Sequence, residues 1–109
     1  MKRLVLFFLM VFTICLIHSQ EEAITLKTSS GDLEGTLLLP EIEKPPVVLI
    51  IAGSGPTDRN GNNPSLKPNY LKMLAEGLHK NNIASLRFDK RGVAESASAF
   101  RSELRFEDY

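Results

Sequence analysis

The chain of 109 residues is poor in the groups that most often carry chemistry or hold small domains together. It has one cysteine, Cys15, and two histidines, His18 and His79. Charges of one sign are not in surplus, since 13 lysines and arginines face 13 aspartates and glutamates. Cys15 lies within the apolar stretch from Leu4 to Ile17. That stretch follows Lys2 and Arg3 and precedes His18-Ser19-Gln20, which is the layout of a secretory signal peptide. Its apolar part falls short of the roughly twenty residues a membrane-spanning helix needs. Cleavage is expected after Ser19 or Gln20, although Ile17 is larger than the usual residue two places before Ser19. A lipoprotein reading of Cys15 is disfavoured by the bulky Ile14 before it. Residues 1–19 are therefore expected to be an export signal and 20–109 one domain, secreted or periplasmic, with no stable membrane anchor after cleavage. Beyond the signal no cysteine remains, which excludes disulfides, a cysteine nucleophile and thiolate metal sites there.

Loss of Lys2 and Arg3 leaves the remaining chain slightly acidic. It offers no electrostatic footprint for nucleic acid or for an anionic membrane. About 90 residues suffice for a single small domain, which buries on the order of 60% of its unfolded surface. No internal repeat or low-complexity tract divides it.

What is present is an ordered alternation of elements around one stretch, Val47-Val48-Leu49-Ile50-Ile51-Ala52, with Gly53-Ser54-Gly55-Pro56 directly after it. A short unbroken apolar run rich in β-branched residues predicts a strand buried on both faces of a parallel sheet. A glycine-rich turn at the carboxyl end of such a strand is where open α/β sheets place ligands. Upstream, Ile24–Thr28 alternates apolar with polar, Ser29–Asp32 is a turn signal, and Leu33–Leu39 follows. Together they predict an antiparallel hairpin. Three prolines between Pro40 and Pro46 stop the ladder. Downstream, Thr57 to Pro64 is dense in turn formers. Leu71, Leu74, Ala75 and Leu78 then keep the spacing of one helix face, and Asn81-Asn82 ends that helix. Ile83–Phe88 predicts a further strand. Strand, helix and strand in this order form a crossover, so the two strands should be parallel with a right-handed connection. The fold class read here is α/β, an antiparallel hairpin leading into a parallel crossover.

Two segments carry a family resemblance. Ile51-Ala52-Gly53-Ser54-Gly55-Pro56-Thr57-Asp58-Arg59-Asn60-Gly61-Asn62 resembles the turn after the third strand of exported α/β-hydrolases of the esterase and serine-aminopeptidase-like branch. Leu86-Arg87-Phe88-Asp89-Lys90-Arg91-Gly92-Val93-Ala94-Glu95-Ser96 resembles the segment after their fourth strand. The resemblance covers nearly all of the chain beyond the signal, but only about the first third of a typical family domain. It implies an incomplete N-terminal part of such a sheet, and an oxyanion-hole role for the backbone N–H of Ser54. Backbone donors fixed at a strand end hold the negative charge of a tetrahedral intermediate, and Gly53 and Gly55 leave room for a tight turn and an approaching substrate. Ala52 stands where the family often carries a histidine that braces the turn. Asp89, Arg91 and Gly92 are implied as scaffold of the second turn, where Ala94 replaces a common glycine.

Family members place the nucleophile in a Gly-x-Ser-x-Gly elbow after the fifth strand, with the acid and the histidine later. No such pentapeptide occurs in this sequence. His79 falls on the Leu71–Leu78 helix away from the apolar stripe read above, which predicts a solvated side chain rather than a general base. Phe106–Tyr109 looks like the start of the helix leading to the fifth strand. Without that strand, Val47–Ala52 would present an unpaired apolar edge, and such edges template aggregation. The isolated chain is therefore expected to be marginally stable or insoluble.

No cofactor is implied. Asp58, Asn60 and Asn62 have the spacing of early calcium-loop ligands, but Asn63 stands where that loop needs glycine and Asn69 where it needs glutamate. No Gly-Lys-Ser/Thr follows the glycines, which disfavours a phosphate-binding loop. Two function classes remain: the N-terminal part of a secreted serine hydrolase acting on carboxylic esters or small acyl compounds, and a non-catalytic secreted binding module with a hydrolase-like half sheet. Both predict that the 109 residues alone do not hydrolyse an activated ester. Turnover above that of a heat-treated control would contradict this.

Overall fold

The computed structural model describes residues 21–100. The expected export signal at 1–19 and the expected helix start at Phe106–Tyr109 lie outside the described residues. Within them, β1 (Glu21–Thr28), β2 (Gly31–Leu38), β3 (Val47–Ile50) and β4 (Ala84–Phe88) form one sheet. Its spatial order is β1-β2-β4-β3. Helix α1 (Tyr70–Lys80) joins β3 to β4, and a 3₁₀ turn (Ala94–Ala99) follows β4.

The first two strands pair antiparallel from Glu21 opposite Leu38 to Thr28 opposite Gly31. This is the hairpin that the alternation of Ile24–Thr28 predicts. Lys27 faces Asp32 across it in a surface ion pair. The hydrogen bond to Asp32, reinforced by its charge, raises the Lys27 ammonium above its ordinary 10.5. The pair therefore supports the hairpin at neutral pH, and that support is lost as the pH climbs through the raised value. Strand β2 pairs antiparallel with β4, and β4 pairs parallel with β3, as a crossover requires.

Residues opposite one another in these ladders share a face. Thr36 and Leu38 of β2, Ser85 and Arg87 of β4, and Val48 and Ile50 of β3 thus line one side. Helix α1 covers it: Leu38, Ile50 and Ala75 form the apolar core, with Leu71 and Leu78 packed against them. Leu74 falls outside this stripe and is half exposed. The buried stripe centres on Ala75, and four residues on it carries His79. His79 is consequently half-buried rather than solvated, and its Nε2 is buried with no hydrogen-bond partner among the described residues. Counting Leu74 as a core position rotates the apparent stripe away from His79, but Leu74 is half exposed.

The strand whose composition suits two buried faces is covered on one face only, and among the described residues it is an edge strand, as expected of a sheet without the fifth strand. Val47, Leu49 and Ile51 are 63%, 55% and 64% exposed, while Ile50 and Ala52 are buried. Helix α1 covers only the side of Ile50, and among the described residues no strand pairs with the outer edge of β3. The long apolar run therefore fits a central strand, but the described residues supply neighbours on one edge and one face only.

Two backbone positions beside the turns are conformationally demanding. Gly31 opens β2 at φ 117, and a Cβ there would lie 2.6 Å from the Ser98 carbonyl oxygen and 2.7 Å from Ala99 Cα. The hairpin turn and the 3₁₀ turn approach that closely because position 31 has no side chain. Ala94 has φ 45 and is held in the left-handed region despite its Cβ. Gly31→Ala should therefore destabilise by about 2–3 kcal/mol through strain and collision. Ala94→Gly should stabilise by about 1 kcal/mol by removing a left-handed alanine. Urea unfolding of the product of the reading frame that encodes this chain measures both, and shifts of opposite sign are expected.

Candidate active-site turns

Two turns leave the carboxyl ends of the parallel strands β3 and β4, at the same end of the sheet. The first runs from Ala52, which is buried, through Gly53, Ser54, Gly55 and Pro56, which are exposed. Gly55 is at φ 80, the left-handed conformation that favours glycine. A Cβ added at Gly53 or at Gly55 would meet nothing within 4 Å, so the turn stands in open space. The Ser54 N–H has no acceptor among the described residues, while its carbonyl receives only a long contact of 3.5 Å from Thr57 Oγ1.

Beyond this turn the loop folds on its own polar groups. Asp58 Oδ1 accepts the N–H groups of Asn60 and Asn62, at 2.8 and 2.9 Å. The Asn62 and Asn69 side chains close the far end, where Asn62 Oδ1 accepts Asn69 N–H and Asn62 Nδ2 donates to Asn69 Oδ1. The Asn60 carbonyl accepts the N–H groups of Leu71 and Lys72, satisfying donors that the first helical turn leaves open. Asp58 thus spends an oxygen on its own loop.

The second turn begins at Asp89. Its side chain is fully buried, and each oxygen accepts a backbone N–H from a different segment: Arg59 on Oδ1 at 2.7 Å, Glu95 on Oδ2 at 3.2 Å. Its own N–H donates to the Glu34 carbonyl of β2. Arg59 and Glu95 also pair through their side chains, Nη2 to Oε2, which closes a ring of contacts around the Asp89 carboxylate. Arg91 reaches the hairpin turn instead, donating from Nη1 to Thr28 Oγ1 and Ser30 Oγ. Gly92 lies at φ 75, and a Cβ there would come within 2.8 Å of the Phe100 ring. Ser96, fully buried, accepts the Glu34 N–H on Oγ and the Gly92 N–H on its carbonyl, tying the 3₁₀ turn to β2.

Of the residues singled out in the sequence, Gly53, Ser54 and Gly55 sit on the first turn, and Asp89, Arg91 and Gly92 on the second. Asp89 joins the two loops directly, whereas Arg91 serves the hairpin. Sequence reasoning missed four participants. Lys90 donates from Nζ to the carbonyls of Gly53 and Gly55 across the gap between the turns. Arg59 and Glu95 form the ring around Asp89. Arg87, buried in β4, donates to Asn60 Oδ1 and pairs with Glu21, and its Nη1 has no partner among the described residues. The only advance signal for these contacts was charge: opposite signs at Arg59 and Glu95, 36 positions apart, and a buried-strand pattern interrupted by Arg87.

Comparison with known proteins bears on the fold. No protein-family model matches the chain, and no curated protein matches it. Solved structures do. A cold-adapted esterase from an Arctic intertidal metagenomic library aligns with TM-score 0.53 at 22% identity, over 69% of this chain and 29% of its own. An α/β serine hydrolase without a lid, from Xanthomonas campestris, aligns with TM-score 0.53 at 27% identity, over 79% of this chain and 38% of its own. The chain therefore spans well under half the length of either structure. Its mixed four-stranded sheet matches part of both, and the chain has an α/β-hydrolase-like fold.

Proposed function

We propose that these residues are the N-terminal part of a secreted serine hydrolase acting on carboxylic esters or small acyl compounds, and that they supply its oxyanion-hole turn. One observation carries this reading: the Ser54 N–H, a donor without an acceptor among the described residues, stands at the carboxyl end of a parallel strand, on a turn with open space around it. The likeness to an esterase and to a serine hydrolase supports it.

In acyl transfer of this kind, a serine hydroxyl adds to the ester carbonyl carbon while its proton passes to a base. The carbonyl oxygen becomes an oxyanion, and a backbone N–H already aimed at that position stabilises it without reorganising. Collapse expels the alcohol, which takes the proton, and water then releases the acid by the same steps in reverse order. The chain's own contribution is the donor and the turn that fixes it. The nucleophile, acid and base of this reading lie beyond Tyr109. Export follows from the reading of residues 1–19.

A second reading, a non-catalytic binding module, draws on the open outer edge of β3. An extended partner segment adding a strand there would satisfy its backbone groups and cover Val47 and Leu49. Capture of a stoichiometric partner that pairs with this edge would favour it.

The hydrolase reading is tested on the product of the reading frame that contains the chain. Ser54→Pro removes the N–H donor, and kcat for a p-nitrophenyl ester should fall about 10²–10³-fold with KM little changed. An unaltered kcat in a variant that melts like the parent would contradict the assignment.

A further inference from the structure

The exposed glycine turn is held from outside, by Lys90. The turn has little to brace itself: Ala52 offers a methyl group, Gly53 and Gly55 have no side chains, and Thr57 Oγ1 reaches the Ser54 carbonyl only at 3.5 Å. Lys90 Nζ donates to the Gly53 carbonyl and, at 2.8 Å, to the Gly55 carbonyl. Its own backbone is well anchored. Asp89, one residue earlier, is buried and bonded on both carboxylate oxygens, and the Lys90 carbonyl accepts the Val93 N–H at 3.0 Å. The ammonium is therefore delivered to the turn from a fixed base.

The consequence follows from the planarity of the peptide bond. The Gly53 carbonyl and the Ser54 N–H belong to one trans peptide unit and point in opposite directions. A cation fixed on the carbonyl oxygen fixes the direction of the N–H on the far side. It also polarises the unit, because charge drawn toward the carbonyl oxygen makes the N–H a stronger donor. We infer that Lys90 is a positioning residue that aims and strengthens the Ser54 N–H, working through the Gly53–Ser54 peptide rather than by touching the substrate. Its part in turnover rests on the oxyanion-hole reading above; its hold on the turn does not.

The two parts are separable by experiment. Gly53-Ser54 is the only Gly-Ser step in the 109 residues. Labelling glycine carbonyl carbons with ¹³C and serine amides with ¹⁵N therefore gives this chain a single correlated resonance at that peptide. The protein is the product of the reading frame that encodes the chain, as wild type, Lys90→Met and Lys90→Arg. Lys90→Met keeps most of the stem and removes the charge, so the Gly53 carbonyl resonance should move upfield. Lys90→Arg, whose fork can reach two carbonyls, should restore it. With a p-nitrophenyl ester, Lys90→Met should lower kcat about tenfold with KM within roughly twofold, less than the 10²–10³ lost when a donor is deleted. Lys90→Arg should recover most of that loss. An unmoved carbonyl resonance in Lys90→Met overturns the hold on the turn, and with it the whole inference. A moved resonance with unchanged kcat overturns the positioning role. A wild-type protein without turnover defeats the hydrolase reading alone, while the resonance still decides whether Lys90 grips the turn.

Discussion

A single buried carboxylate organises this structure. Burying the ion of Asp89 is costly unless its oxygens are satisfied, and here two backbone N–H groups from segments 36 residues apart supply that satisfaction. The bonds are charge-assisted, the stronger kind. Because Arg59 lies just past the glycine turn and Glu95 in the 3₁₀ turn, one side chain sets the distance between the loops that leave β3 and β4. The Arg59–Glu95 ion pair closes over it at the surface, where such pairs contribute little by themselves. Lys90 and Arg91, the next two residues, then extend the same fixed base toward the glycine turn and the hairpin turn. Scaffold and candidate site are thus continuous, and the donor geometry at Ser54 is inherited from Asp89.

The sheet has the opposite character at its other edge. Val47, Leu49 and Ile51 form an apolar strip on a strand whose outer backbone groups are unpaired among the described residues. Helix α1 covers the face carrying Ile50, so the described core is a small cluster around Ala75, Leu38 and Ile50. Four of the most buried residues are polar: Ser85, Arg87, Asp89 and Ser96. Asp89 and Ser96 hold the turn side together through hydrogen bonds, whereas Ser85 and Arg87 lie on the face that helix α1 covers, where Ser85 Oγ and Arg87 Nη1 have no partner among the described residues. The strip on β3 is where strand addition or further packing would contribute most. An edge of this composition without a cover is a site for association.

How much of this was legible in the sequence differs by kind of interaction. Period-two alternation in Ile24–Thr28, the proline-rich break and the helical spacing of Leu71, Ala75 and Leu78 are local signals, and each element stands where they put it. The sheet order needed the crossover argument, which correctly makes β3 and β4 parallel. The composition of β3 suits two covered faces and the missing fifth strand implies its open edge, but composition does not reveal that its second face is also uncovered among the described residues. His79 was misplaced because Leu74 and His79 flank the true stripe, and an apolar residue on one flank turns the apparent face toward itself. The turn network was the least legible. Lys90 reaching Gly53 and Gly55, or Asp89 reaching Arg59, are contacts of 30 residues or more whose partners are backbone groups, and backbone donors and acceptors leave no mark in a sequence.

The central claim is that Asp89 holds both turns at once, and hydrogen exchange at the Arg59 and Glu95 amides of Asp89→Asn tests it most directly. Asparagine keeps one acceptor and replaces the other with a donor, so at least one of these N–H groups loses its partner. With charge-assisted bonds contributing about 1.5–3 kcal/mol, exchange at one or both should accelerate roughly 10- to 100-fold while the β2 amides remain protected. Protection retained in full at both Arg59 and Glu95 would contradict the account.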